Sequence, residues 1–320
     1  MRRTLFCLLF FVQMFVWPNT KELEGFFNAT KNYDFKTALL IVDNLEDSIL
    51  KDRLKFLVSL IIEKTNSDQQ NILFDQSSSQ TINFLNLLIS GYQLYYSTKQ
   101  EHLKTYKYFS SAIKLSDEIG NKVFTKAALI SMLDLFATEI FIGSKQYEPY
   151  LNQFMELKSD MTDEVLIIQY NLIFSTTVDD DFDSVSTQYY AYYNKLDSIF
   201  INFPKNHSFF ATYYYEKGIF YKIDGDFNKA EHFFFKADSV ASKNKYANDL
   251  KVKIAWQLSH VKMQNNQLVE AKRFLATTRK ASTKLKESFY NNRLASLIFQ
   301  KEGNYDSASV SYTHLRAHET

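Results

Sequence analysis

Residues 213 to 237 read YYYEKGIFYKIDGDFNKAEHFFFKA, two apolar-periodic runs on either side of a Gly-Asp pair. Tyr214, Gly218 and Tyr221 fall at i, i+4 and i+7, one face of a helix, and Ala230, Phe234 and Ala237 repeat that spacing downstream. Gly225 stands where a left-handed cap would end the first helix, and Asp226 where an N-cap would start the second. Small residues at 218 and 230 let two helices approach closely, and the aromatics fill the space around them. The pattern predicts an antiparallel helix hairpin with a short turn.

Weaker copies run along the chain. "EGNYDSA" supplies Gly303, Asn304, Tyr305 and Ala308, and "NNQLVEA" supplies Asn266, Leu268 and Ala271. Near the start, "NYDFKTA" offers Tyr33, Asp34, Phe35 and Ala38, and "EHLKTYKYFSSAIKL" carries Phe109 and Ala112 in second-helix register. The small second-helix position falls at 38, 105, 150, 185, 230, 271 and 308, with intervals of 45, 35, 45, 41 and 37 after 105. The wide gap between 38 and 105 leaves room for a degenerate unit, with helices expected near 48–65 and 69–76. Pro149 is expected in a first helical turn, where it is tolerated, and Pro204 in a linker. Only 7 Gly and 3 Pro in 320 residues agree with long helices and short connections. No strand alternation interrupts the pattern. An all-α chain is expected.

The 213–237 unit resembles the tetratricopeptide repeat. That family has a large residue, Leu-Gly, Tyr, Gly-Asp-aromatic, Ala, an aromatic and a second Ala. Here these positions read Tyr214, Lys217-Gly218, Tyr221, Gly225-Asp226-Phe227, Ala230, Phe234 and Ala237, and only Lys217 departs. The resemblance implies a right-handed superhelical solenoid of antiparallel helix hairpins over residues 19–309, with a concave groove lined by first helices. Carried onto the best-registered units, the groove positions are Tyr215, Ile219 and Lys222; then Lys253, Trp256, His260 and Met263; then Arg293, Leu297 and Lys301. The family's carboxylate clamp is missing, because Tyr215 and Ile219 replace its Lys and Asn. The resemblance implies a protein or peptide partner, extended or helical and of acidic character, held by aromatic anchors with Lys and Arg around them.

The first 18 residues have two Arg followed by an apolar run from Leu5 to Trp17 broken by Gln13. That is the layout of a signal peptide or an N-terminal anchor, and it predicts export to the periplasm. The only cysteine, Cys7, lies within it, so no disulfide is expected. At the other end, VSYTHLRAHET (residues 310–320) resembles the translation of a transposon-type sequencing adapter. On that reading the natural chain differs after Ser309, and His314 and His318 are no metal pair.

Net charge is +1, but it is unevenly placed. Lys243, Lys245, Lys251, Lys253, Lys262, Lys272, Arg273, Arg279, Lys280, Lys284 and Lys286 face only Asp249 and Glu270, while residues 156–183 lean acidic. Both stretches read as solvated helix faces. Of the remaining histidines, His102, His207, His232 and His260, none has a second ligand at metal spacing. Asp179, Asp181 and Asp183 begin like a calcium loop, but Ser184 and Tyr190 stand where Gly and Glu are needed.

No dinucleotide fingerprint, P-loop or nucleophile elbow occurs, so no catalytic residue and no cofactor is expected. Nucleic acid is not expected as a partner for an exported region. An export signal followed by such an array resembles the front half of Bacteroidota-type regulators, in which a membrane span and a cytoplasmic output domain follow. The alternative is a stand-alone periplasmic or surface assembly adaptor. A third possibility, an enzyme that uses the array as a cradle, has no residue to name.

Overall fold

The computed structural model describes residues 20–32, 34–63, 79–97, 101–137, 145–175, 187–204, 207–243, 248–281 and 285–316. All regular structure among them is helical. The chain divides into two compact units, Met1–Asp180 and Asp181–Thr320. The segment 1–18, the expected helix at 69–76 and the Asp179–Asp183 turn lie outside the described residues.

Unit 1 contains α1 (Thr20–Lys31), α2 (Phe35–Asp43), α3 (Ser48–Glu63), α4 (Gln80–Tyr95), α5 (His102–Ile119), α6 (Lys122–Phe136), α7 (Glu148–Glu156) and α8 (Met161–Ser175). A short 3₁₀ turn, Lys145–Tyr147, precedes α7, and Pro149 sits in the first turn of α7. Asp, Asn and Ser start these helices by accepting orphan N–H groups: Asp34 from Thr37, Asp47 from Leu50, and Asn121 from Val123 and Phe124. Each helix packs on the next along the chain, and α1 also packs on α6. Its Phe27 lies edge-on to Phe84 of α4 and Phe124 of α6, which are themselves stacked at 4.6 Å.

At Gly91 of α4 the helices α4 and α5 approach closely. A Cβ there would lie 2.3 Å from the ring of Phe109, which is wholly buried with Thr105 and Ala112. Gly91 therefore does for α4 and α5 what the sequence assigns to Gly218 in the 213–237 hairpin.

Unit 2 contains α9 (Thr187–Asn202), α10 (Phe210–Ile223), α11 (Phe227–Ala241), α12 (Asn248–Gln264), α13 (Leu268–Ala281), α14 (Leu285–Lys301) and α15 (Tyr305–Arg316). Its tightest pairs are α10 with α11, α12 with α13 and α14 with α15. All three pairs turn the same way. Gly225, Asn266 and Gly303 are left-handed, at φ 78°, 59° and 75°. In each turn that residue's N–H bonds the carbonyl three back, and the next N–H reaches five back: Asp226 to Tyr221, Gln267 to Lys262 and Asn304 to Phe299. This is the helix-ending motif in which a left-handed residue satisfies the last carbonyls.

The small position inside each hairpin has a matching logic. At Gly218 an added Cβ would lie 2.5 Å from Phe234. In the next two hairpins a serine stands there, and its hydroxyl donates to a carbonyl twelve residues on: Ser259 to Ala271 at 2.8 Å, and Ser296 to Ala308 at 3.1 Å. Ala230, Phe234, Ala237 and Ala271 are wholly buried and Ala308 nearly so. The last helix runs on through Val310–Arg316, with Ser311 buried.

Gly225→Val puts a β-branched residue at positive φ, which should cost roughly 1–2 kcal/mol. No atom lies within 4 Å of a Cβ at Gly225, so the loss is backbone strain alone and Gly225→Asn should recover much of it. Urea midpoints of the two variants check this, and equal midpoints would show that the turn carries no strain.

Candidate functional site

The first helices of the three hairpins touch in series, α10 on α12 and α12 on α14, and one stripe of each carries the expected groove residues. On α10 the stripe is Tyr215, Glu216, Ile219 and Lys222. On α12 it is Lys253, Trp256, Gln257, His260 and Met263, and on α14 it is Arg293, Leu297 and Lys301. Positions i, i+3, i+4 and i+7 share one helix face, which is why these residues line up.

The expected partner-binding residues lie at different depths. Lys253 and Lys301 are exposed; Tyr215, Ile219, Trp256, Arg293 and Leu297 are half-buried; Lys222, His260 and Met263 are buried. Tyr215 and Ile219 pack on the Ala230–Phe234–Leu258 core. Trp256 and Leu297 pack on the core of Ala271, Leu275, Leu294 and Ile298. Trp256 also stacks on His260, at 5.9 Å between ring centres. Lys301 donates to the carbonyl of Met263 at 3.2 Å, tying α14 to the end of α12. Several of these side chains thus join one hairpin to the next as well as facing outward.

Two polar residues of the same stripe escaped the sequence reading. Glu216 follows Tyr215 and Gln257 follows Trp256, and a repeat pattern that reads one position per turn passes over both. Tyr189 of α9 donates to Glu216 Oε2 at 3.4 Å, and Gln257 Nε2 donates to the Tyr215 hydroxyl at 3.5 Å. Burial pushes the Glu216 carboxyl up to about 7, while Lys253 and the Tyr189 hydroxyl pull it down. The shift has a stability consequence with a definite sign. Between about pH 4.5 and about pH 7 the folded chain holds a proton that the unfolded chain has released, so stability falls as pH rises through that window. Glu216→Gln should remove the slope, gaining stability above neutrality and little below pH 4.5. Urea denaturation at both ends of the window checks it, and a variant that tracks the parent at both would refute the burial of this carboxyl.

The one departure from the repeat pattern, Lys217, has a local cause. Its ammonium reaches Asp197 of α9 at 2.6 Å and the Tyr213 hydroxyl at 3.0 Å, and it lies over the rings of Tyr213 and Phe233. The aliphatic stem replaces leucine while the charge finds a partner.

One residue in each charged stretch departs from the solvated-face expectation. Lys262, in the basic stretch, is buried between Glu231 at 2.8 Å and Glu270 at 2.7 Å, so it is an internal strut. Asp163, in the acidic stretch, has no exposed surface at all. Neither belongs to a solvated face.

Compared with protein-family models and with curated proteins, the chain matches none. Among the described residues no group of three or more His, Cys, Asp or Glu could hold a metal ion, and no helix is long and apolar enough to cross a membrane.

Proposed function

We propose that this chain is a protein-binding scaffold of tetratricopeptide type, and that the stripe on α10, α12 and α14 is its partner-binding face. The observation that carries the reading is the threefold recurrence in unit 2 of one hairpin, with the same turn geometry and the same small-residue position. Repeated hairpins of this kind build extended binding surfaces. The partner is a peptide or protein segment, extended or helical. Trp256 supplies the large aromatic anchor and Arg293 a fork for a carboxylate, which favours acidic character.

The test is capture of a partner from periplasmic extract, followed by titration against two variants. Trp256→Ala should weaken the partner by about 2 kcal/mol, whereas Lys284→Ala should change affinity little beyond screening. Equal binding by both would remove the face from consideration. Whether the scaffold is the sensory part of an exported regulator or a stand-alone adaptor is decided by resequencing the source gene. An apolar span of about 20 residues beyond codon 309 favours the regulator, and recovery of the same eleven final residues from uncut genomic DNA rejects the adapter origin of 310–320.

A further inference from the structure

The stripe on α10 and α12 holds two acceptors that the protein itself leaves short of donors. Gln257 is 9% exposed, and its Oε1 is buried without a hydrogen-bond partner. Its Nε2 is engaged, weakly, with the Tyr215 hydroxyl. Turning the amide over would let that hydroxyl donate to the oxygen but would strand the NH₂ group instead, so one end is always left over. A buried polar group in that state is costly, and a ligand that supplies the missing partner recovers the cost on binding.

Glu216 follows Tyr215, the residue that Gln257 touches, on α10. Its single hydrogen bond among the described residues is the long one from Tyr189. The groups around it are Tyr189 from α9, Tyr215 on its own helix and Lys253 from α12. Lys253 is exposed and makes no ion pair with it within 4 Å among the described residues. Burial disfavours this carboxylate, and nothing nearby neutralises it by contact.

We propose that this face takes an arginine side chain of a protein partner, its guanidinium shared between the Glu216 carboxylate and the Gln257 amide oxygen. The proposal rests on the partner-binding reading above and sharpens it. Charge complementarity selects a cation, and the pairing of a carboxylate with an amide oxygen selects the planar fork of arginine over the point charge of lysine. Tyr215 and Trp256 immediately precede the two acceptors on their helices, and both are half-buried. Because Gln257 Oε1 is covered in the free protein, entry displaces a side chain and holds the affinity of a short peptide to the weak end.

The experiment uses the full chain and three blocked tripeptides, acetyl-Ala-X-Ala-amide with X arginine, lysine or the neutral isostere citrulline, measured by calorimetry. Above neutral pH the arginine peptide should bind about tenfold more tightly than the citrulline peptide, with lysine between them. At about pH 5.5 it should weaken about tenfold or more as Glu216 takes up its proton. Glu216→Gln, which relieves burial of a charge and so should fold at least as well as the parent, should reduce arginine to the citrulline level, and Gln257→Leu should weaken it about fivefold. Arginine and citrulline binding alike, neither binding, or Glu216→Gln binding like the parent would each overturn the proposal. If the arginine peptide fails while a captured partner still discriminates Trp256→Ala from Lys284→Ala, the arginine site is wrong and the face stands; if neither discriminates, both fall.

Discussion

Asp163→Ala should cost about 3–5 kcal/mol, the range for removing one partner of a buried ion pair. The Asp163 carboxylate is fully buried and accepts from Lys31 of α1 at 2.8 Å, Lys126 of α6 at 2.5 Å, and the N–H of Ser159 at 2.9 Å. It lies in the first turn of α8, where the positive end of the helix dipole also favours an anion. One side chain thus ties three helices together, and among the described residues removing it leaves the Lys126 ammonium with the Ser159 hydroxyl at 2.7 Å. Because the chain has two units, the loss should be read from hydrogen exchange of α1, α6 and α8 and not from a single melting temperature. Replacing the set together, Lys31→Met, Lys126→Met and Asp163→Leu, should recover most of the loss, since buried pairs can be exchanged for apolar packing. A loss below about 1 kcal/mol in Asp163→Ala would show that the network is not a tie.

The same network sets an acid limit for unit 1. Burial pushes the Asp163 carboxyl up, but the ammonium groups of Lys126 and Lys31 and the Ser159 N–H outweigh it and hold it at about 2. A carboxyl held below its unfolded value contributes stability above that value and loses it as pH falls. The contribution is complete above about pH 4 and disappears as pH approaches 2. Asp163→Asn should flatten the acid limb of the stability curve in that window and leave the neutral region uniformly lower.

How much of this was legible in the sequence follows from how local each cause is. The all-helical character rests on periodicity and on scarce Gly and Pro, which act within a few residues. Turns such as Gly225-Asp226 and Gly303-Asn304 carry their chemistry in two adjacent letters, and their left-handed geometry follows from those letters. Asn266 performs the same turn without glycine because its short polar side chain tolerates positive φ.

The Asp163 network is a different case. Lys31 and Asp163 are separated by 132 positions, and no window of sequence contains both. In the 156–183 stretch Asp163 is one acid among many, and only the fold distinguishes it. Gly91 escaped for a smaller reason: it precedes Thr105 by fourteen residues, where Gly218 precedes Ala230 by twelve, so a rigid template misses it. Glu216 and Gln257 stood beside residues that the template selected. What marks them is the lack of a good partner, which no sequence displays.

The helix contacts at Gly91 and Gly218 lead to the second large effect. Phe234→Ala and Phe109→Ala should each cost about 3–5 kcal/mol, at the high end for their size. Both rings are wholly buried, and each lies directly against a glycine that has no side chain to move into the space left behind. The complementary change is informative because two effects oppose each other. Gly218→Ala gains up to about 1 kcal/mol of helix propensity. It also brings a Cβ to 2.5 Å from a Phe234 ring that has nowhere to go, and overpacking of this kind costs about 1–3 kcal/mol. Gly218→Ala alone should therefore destabilise, although alanine is the better helix former. In a Phe234→Leu background the clash is relieved, and the same substitution should become neutral or stabilising. The double-mutant cycle in urea should show a coupling of about 1 kcal/mol or more. Strictly additive effects would mean that the ring and the glycine do not share the space that the hairpin is built around.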